Sequence, residues 1–284
     1  MTESWPAPAK LNLFLHITGR RTDGYHTLQT IFQFLDLGDV LRFEVTPDAH
    51  ISRATPLPGV PEERDLTIRA ARLLRETAGV TAGAVIHLEK HIPLGGGLGG
   101  GSSDAATTLL ALNHLWGCGL RLEALAALGI RLGADVPVFV HGHAAWAEGV
   151  GEILLPADPA EVWYVVLAPR VSVSTAEVFA GFDNNPDLTP VSPPITIRDF
   201  HAGRTRNDLE PVIRRLIPDV DNALTWLRNF GDARMTGSGA CVFLPVVSAQ
   251  RGYEILARRP DSVPAQGFVT RGRNVHPVHE RWYR

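Results

Sequence analysis

Pro93-Leu94-Gly95-Gly96-Gly97-Leu98-Gly99-Gly100-Gly101-Ser102-Ser103-Asp104 is the stretch around which the rest of the chain is organised. Each glycine costs roughly 0.5–1 kcal/mol more than alanine to order. The six glycines at 95–97 and 99–101 therefore need a compensating gain if the loop is fixed. Composition alone also admits a flexible linker. The flanks favour order. Val85 to Leu88 is a strand-like run, and Ile92-Pro93-Leu94 leads into the glycines. A helix-start signal follows: Ser102 and Ser103 are capping types, Asp104 suits a positive terminus, and Ala105, Leu109, Leu112 and Leu115 repeat at helical spacing. Backbone amides without side chains, converging on a helix N-terminus, form a site for a phosphate chain.

Two familiar phosphate loops fit less well. A P-loop places Lys-Ser or Lys-Thr after its last glycine, and here Ser102-Ser103 follow Gly101. Gly95, Gly97 and Gly100 match the dinucleotide spacing after a strand. The acid expected about 20 positions on is missing, because Leu115 to Leu122 contains none and Glu123 falls in a second helical stretch. A dinucleotide oxidoreductase is the weaker alternative.

Composition bounds the partners. The chain has 284 residues, 45% hydrophobic and 20% charged, room for two modest domains or one large one. Its net charge is −3 and it has no lysine or arginine run, which argues against a nucleic-acid polymer or a membrane surface. Two distant cysteines, Cys118 and Cys241, suit a reducing compartment. The N-terminus lacks the basic and apolar regions of a signal peptide, and no apolar run approaches a membrane span. A cytoplasmic protein, monomeric or weakly dimeric, is expected.

The first third reads as β-rich, with strands around Leu11 to Leu15, Ile31 to Leu35 and Val40 to Val45. Helices are expected over Arg64 to Thr77, Ser103 to Trp116 and Arg121 to Leu132, with Gly117 and Gly133 ending the last two. Val136 to Val140 and Ala144 to Ala147 resume apolar character. Gly149, Gly151, Pro156 and Pro159 mark a boundary, giving domains over 1–155 and 156–284. Beyond it come a strand at Val162 to Leu167, a loop at Asn184 to Pro194, helices at Asp208 to Ile217 and Val220 to Phe230, and a buried strand at Ala240 to Val247. Strands and helices mixed in both halves indicate α+β.

Two more motifs accompany the loop: Pro8-Ala9-Lys10-Leu11-Asn12-Leu13 and Met235-Thr236-Gly237-Ser238-Gly239-Ala240-Cys241-Val242-Phe243. With Pro93 to Ser103 they resemble the three signature motifs of the GHMP kinases. Asp23-Gly24-Tyr25-His26-Thr27-Leu28-Gln29-Thr30, Gly133-Ala134-Asp135-Val136-Pro137-Val138-Phe139 and Glu148-Gly149-Val150-Gly151-Glu152 narrow the resemblance to one branch, the 4-diphosphocytidyl-2-C-methyl-D-erythritol kinases. The likeness runs from Trp5 to the last strands.

The resemblance implies a ribosomal-protein-like β-α domain holding ATP, a ferredoxin-like C-terminal domain, and the acceptor in the cleft between them. Lys10 and Asp135 would be catalytic. Without the resemblance, Asp135 before Val136-Pro137 reads as a helix cap and Lys10 as a lysine on an edge strand. Phosphoryl transfer to an alcohol needs a base for the hydroxyl proton and a cation for the developing charge. Pro93, Leu94, Gly95, Gly96, Gly97, Leu98, Gly99, Gly100, Gly101, Ser102 and Ser103 would hold ATP, with Asp65 and Lys90 on the adenine side. Relatives often carry asparagine where Asp65 stands, and aspartate accepts a hydrogen bond but cannot donate one.

Tyr25 and His26 follow a turn signal and taken alone read as a small-core aromatic and a solvated histidine. The resemblance makes them a cytosine site, with Tyr25 stacking and His26 on the base edge. Phe179 would close the other face and Thr175 contact the substrate. Asn12, on Lys10's strand face, would hold the acceptor's sugar-alcohol end. Gly237 and Gly239 would bring amides to the substrate, or simply make a tight turn into a strand. Cys241 has no activating base and reads as a small apolar strand residue. His141 and His143, like His276 and His279, are pairs without a third ligand, so no protein metal site is expected and magnesium would arrive on the ATP phosphates. A different GHMP activity has no use for a cytosine clamp, and a non-catalytic ligand sensor on the same fold is expected to lose Lys10 or Asp135.

Overall fold

Two long antiparallel strands, β1 (Ser4–Arg20) and β2 (His26–Thr46), open the chain around the Asp23-Gly24 turn. In this computed structural model, residues 3–171, 173–192 and 194–283 are described. The runs expected as separate strands at 31–35 and 40–45 are one strand. The polar break between them is where β2 changes neighbours. Val40 to Thr46 pair with β4 (Gly83–Glu89), while Phe34 and Leu35 meet β10 (Ala265–Arg273). Thr30 to Phe32 pair with β5 (Ala145–Glu148), which continues to β6 (Ile153–Pro156).

The sheet runs on through β7 (Trp163–Pro169), β9 (Val242–Val246) and the short β8 (Arg234–Met235), ending on the other side at β3 (Ile51–Arg53). The β3–β4 pair is parallel and the other ladders are antiparallel, the arrangement of an α+β protein.

Helices cover this sheet in two groups. The first is α1 (Leu66–Ala78), α2 (Gly100–Leu115), α3 (Leu122–Ile130) and α4 (Val136–His141). They pack Ile68, Leu74, Leu109, Leu125 and Phe139 against Trp5, Phe34 and Leu41. The second is α5 (Thr175–Asp183), α6 (Ile197–His201), α7 (Glu210–Leu216), α8 (Pro218–Arg228) and α9 (Ala249–Leu256). Its core joins Val212, Ile213, Leu224 and Leu227 to Val165, Leu167 and Met235. Strand β1 belongs to both cores, giving Trp5 and Ala7 to the first and Leu15 and Ile17 to the second. The last helix, α10 (Pro277–Trp282), returns to the first core, where Trp282 stacks on Trp5 at a centroid distance of 4.1 Å. Among the described residues no helix is long and apolar enough to cross a membrane.

One local expectation is corrected. The helix after the glycine loop begins at Gly100, with left-handed Gly99 as its N-cap. Ser102 and Ser103 therefore sit inside the first turn, and the Ser103 amide donates to Gly99 O at 2.9 Å. The serines lose the capping role because the chain turns three residues earlier than their propensity suggests. Val136 to Val140 is helical, started by Pro137 in the first turn and closed by Gly142 in the left-handed region.

The return of α10 buries two histidines. His276 is wholly buried, and burial with His279 alongside holds its pKa well below 6.5. His279 is lowered to about 4, chiefly by burial, with His143 and His141 adding to it and its contact to Val140 O opposing. Both are neutral in the native state near neutrality. As pH falls from 6.5 towards 4 the unfolded chain takes protons that the native state refuses, so this contribution to stability is lost in that window. Asp104 works in the opposite sense, its carboxyl being pushed up to about 7 by burial. The histidine effect is therefore isolated by comparing wild type with His279→Asn. Calorimetric melting between pH 7 and 5 is expected to show the difference in Tm between them shrinking as pH falls. A constant difference would exclude it.

Candidate active site at the meeting of three sequence motifs

The first, second and third motifs, far apart in sequence, are hydrogen-bonded into one junction. Lys10 N donates to Leu98 O at 2.9 Å, and Cys241 N donates to Gly96 O at 3.0 Å. Asn12 N donates to Thr236 Oγ1 at 2.8 Å. Two glycines are required by these approaches. Gly97 has φ +76°, and a Cβ there would lie 2.8 Å from both Gly239 O and Thr236 O. Gly99 has φ +73°, and its Cβ would lie 2.9 Å from Lys10 Cγ and 3.0 Å from Phe139 Cζ. The loop is thus an ordered wall of the site, and the linker alternative falls away.

Above the loop, Lys10 Nζ stands 3.2 Å from Asp135 Oδ2 and 2.5 Å from Asn12 Oδ1, and 5.4 Å from the centroid of the Phe32 ring. The Lys10 side chain is 3% exposed and that of Asp135 33%. A buried ammonium needs such partners. Asp135 occupies the N-cap position of α4 yet makes no capping hydrogen bond there. Its carboxylate faces Lys10 and the cleft instead, so the capping alternative is not what this side chain does. Asn12 lies beside Lys10 as its spacing on β1 requires, but its amide is occupied: Oδ1 by Lys10 and Nδ2 by Thr30 Oγ1 at 3.0 Å. It lines the cleft while orienting Lys10.

The cleft encloses about 920 Å³ and is lined by Lys10, Asp135, the loop from Pro93 to Ser102, Gly237 and Gly239. Ser103 lies one residue too deep, its Oγ buried and unpartnered. At the far end are Tyr25, His26, Thr175 and Phe179. Tyr25 is 67% exposed, whereas His26 is stacked on Phe179 with ring centroids 4.8 Å apart and planes 20° apart. Thr175 and Phe179 lie on α5, which is capped by Ser174 accepting from Glu177 N at 3.4 Å. Thr175 Oγ1 sits 2.9 Å from Ser238 Oγ, which ties α5 to the third motif.

The adenine-side expectation needs correction for Asp65. Its carboxylate caps α1 by accepting from Thr67 N at 2.8 Å and Thr67 Oγ1 at 2.7 Å, and it pairs with Arg53. It is 3% exposed and does not line the cleft, so its acceptors are committed elsewhere. Lys90 does line the cleft, but its ammonium is held between Asp39 and Asp104, the latter at 2.8 Å. Burial would lower its pKa, and the two carboxylates outweigh that and raise it. Asp39 also accepts from His91 N at 2.6 Å and Ile92 N at 2.8 Å, so this cluster clamps the lead-in to the glycine loop. A lysine between two distant aspartates leaves no local pattern to read.

Cys241 is buried, and burial pushes its thiol up to about 12, Lys10 opposing. It packs against Gly96 as an apolar residue. Among the described residues, no group of three or more His, Cys, Asp or Glu is placed to hold a metal ion. Sequence reasoning missed Asn207, Arg20 and Asp183. Buried Asn207 donates to Met235 O at 3.0 Å and Gly237 O at 2.8 Å, fixing the third-motif turn. Arg20 and Asp183 line the cleft beside His26. Asp183 was findable, since it continues the four-residue spacing of Thr175 and Phe179 along one helix face.

Comparison with known proteins agrees with this geometry. The model of the GHMP kinases N terminal domain matches residues 65–143, and that of the GHMP kinases C terminal matches 196–262. A protein of Pseudomonas savastanoi pv. phaseolicola named 4-diphosphocytidyl-2-C-methyl-D-erythritol kinase is 54% identical over 97% of this chain and 94% of its own length. One of the same name from Alkalilimnicola ehrlichii is 57% identical over 94% of this chain and 90% of its own. The crystal structure of a 4-(cytidine 5'-diphospho)-2C-methyl-D-erythritol kinase superposes with a TM-score of 0.80 at 34% identity, covering 95% of this chain and 99% of that one. The Methanococcus jannaschii mevalonate kinase, at 17% identity and TM-score 0.70 over 96% of this chain and 99% of its own, shares the fold.

Proposed function

The chain belongs to the GHMP kinases and, within them, to the 4-diphosphocytidyl-2-C-methyl-D-erythritol kinases, and on that footing we propose that it transfers the γ-phosphoryl group of ATP to the 2-hydroxyl of 4-diphosphocytidyl-2-C-methyl-D-erythritol, a step of isoprenoid precursor biosynthesis. The observation that carries the chemistry is the Lys10–Asp135 pair, 3.2 Å apart at the edge of the glycine loop.

In this reading Asp135 takes the proton of the acceptor hydroxyl as its oxygen attacks the γ-phosphorus. The bond from the γ-phosphorus to the β-phosphate oxygen breaks in line, and ADP leaves. Lys10, held by Asn12 Oδ1, stands 3.2 Å from the Asp135 carboxylate and steadies the developing alkoxide. The amides of residues 95–102 and the N-terminus of α2 receive the phosphates. No covalent enzyme intermediate is needed, and the protonated, buried Cys241 offers none.

Magnesium carried on the ATP phosphates neutralises their charge when bound. Ser102, whose hydroxyl is a hard oxygen donor, lines the cleft beside the loop and would suit a cation that keeps most of its water. Tyr25, His26, Thr175 and Phe179 belong to the cytidine end of the acceptor. Residues 1–155 supply most of the ATP side and 156–284 most of the acceptor side in the same reading, with the β1–β2 hairpin reaching the acceptor end and α10 returning to the first core, a reducing cytoplasm as the setting and a monomer or weak dimer as the working form.

The test is ADP release from ATP with the cytidine diphosphate acceptor, set beside mevalonate and homoserine. Turnover restricted to the cytidine acceptor and inhibited competitively by CDP is expected. Turnover with mevalonate or homoserine instead would overturn the acceptor assignment.

A further inference from the structure

Helix α5 turns Thr175, Phe179 and Asp183 towards the cleft at four-residue spacing. The first two have places in the acceptor site, whereas Asp183 has none. Its carboxylate is divided between two residues of the opposite hairpin: Oδ1 lies 2.7 Å from His26 Nε2 and Oδ2 lies 3.1 Å from Arg20 Nη1. Arg20 Nε also donates to Gly24 O at 3.2 Å, tying the carboxylate to the turn that presents Tyr25. The His26 side chain is 7% exposed, whereas those of Asp183 and Arg20 are 28% and 58% exposed, so the imidazole is the buried member of the cluster and the Arg20 pair is open to solvent.

We propose that Asp183 is a positioning residue for the acceptor's cytidine end. Its carboxylate docks α5, with Phe179 and Thr175, onto the Arg20–His26 turn and fixes the His26 ring before substrate binds. A carboxylate only accepts, so the His26 nitrogen facing it carries a proton and the ring has one orientation. Loops and side chains ordered in advance cost less to order on binding, which appears as affinity for the group they contact. Asp183 is paired with His26 and Arg20 and not with the glycine loop or the Lys10–Asp135 pair, so its loss is expected to spare ATP binding and the chemical step. The inference rests on the cytidine-acceptor reading above.

The experiment is steady-state kinetics and thermal melting of wild type, Asp183→Asn and Asp183→Glu, with CDP as a competitive inhibitor. Asp183→Asn keeps the shape and removes the charge. The expected result is an acceptor KM and a CDP Ki each raised roughly 10-fold or more. The KM for ATP and kcat at saturating acceptor should stay within about twofold, the melting temperature should hold, and Asp183→Glu should recover part of the affinity. An unchanged acceptor KM in Asp183→Asn overturns the proposal. So does a joint rise of both KM values with a fall in melting temperature, since that is loss of structure. Wild type that neither uses the cytidine acceptor nor binds CDP would sink the activity reading and this inference together. Wild-type turnover with an indifferent Asp183→Asn would sink the inference alone.

Discussion

Asp135→Asn is expected to lower kcat by about 10²–10⁴-fold, the range for removing a general base, while ATP and acceptor still bind. The amide has the carboxylate's shape but takes up no proton at neutral pH. Lys10 keeps Asn12 Oδ1 at 2.5 Å and the Phe32 ring beneath it, so its position is preserved. The loss of its counter-charge costs some stability, moderated because Asp135 is 33% exposed. The measurement is single-turnover phosphoryl transfer together with calorimetric binding of both substrates. A residue that merely capped α4 would cost the ~1 kcal/mol of stability that a cap supplies when replaced, and leave kcat within a few-fold. Since Asp135 makes no capping hydrogen bond, the kinetic effect should dominate, and a near-normal kcat would remove it from the mechanism.

The second large effect is expected at Gly97. Alanine there must adopt φ +76° and push its Cβ to within 2.8 Å of two backbone carbonyls, those of Thr236 and Gly239. The left-handed backbone alone costs about 1–2 kcal/mol, and the carbonyls can yield only by opening the junction of the second and third motifs. Gly97→Ala is therefore expected to raise the KM for ATP at least about tenfold and lower Tm by several degrees. Gly101→Ala is the control. A Cβ there meets only Leu66 Cδ1 at 3.5 Å and needs no left-handed backbone, and alanine favours the helix it joins. Equal tolerance at both sites would show that the junction is soft and that the loop is not held as described.

Much of the site was legible because its chemistry is written in contiguous segments. The glycine run, the Lys10–Asn12 strand and the Thr236–Gly239 turn each carry a local signature, and each lines the cleft or its junction. The start of α2 was misplaced because propensity favours serine caps, whereas the loop's left-handed Gly99 turns the chain earlier. Asp65 resembled a cleft residue by position, yet the nearest unsatisfied partners, Thr67 and Arg53, took its oxygens. Asp39 and Asn207 carry no local signal, because each acts on a segment distant in sequence, and Asp183 shows only as the next position on the face of α5 that carries Thr175 and Phe179.

By itself the sequence determined the α+β class and marked the glycine loop as a candidate phosphate site. These follow from residue type and short-range spacing: glycine backbone freedom, hydrophobic period and donor chemistry. Only the tertiary structure decided whether Asp135 caps or faces Lys10, and which glycines are forced by a neighbouring backbone. It also decided that β1 serves two cores and that the last helix returns to the first strand. Those outcomes depend on competition for partners across long sequence separations, where a carboxylate or a buried ammonium settles on whichever partner packing brings within hydrogen-bond reach.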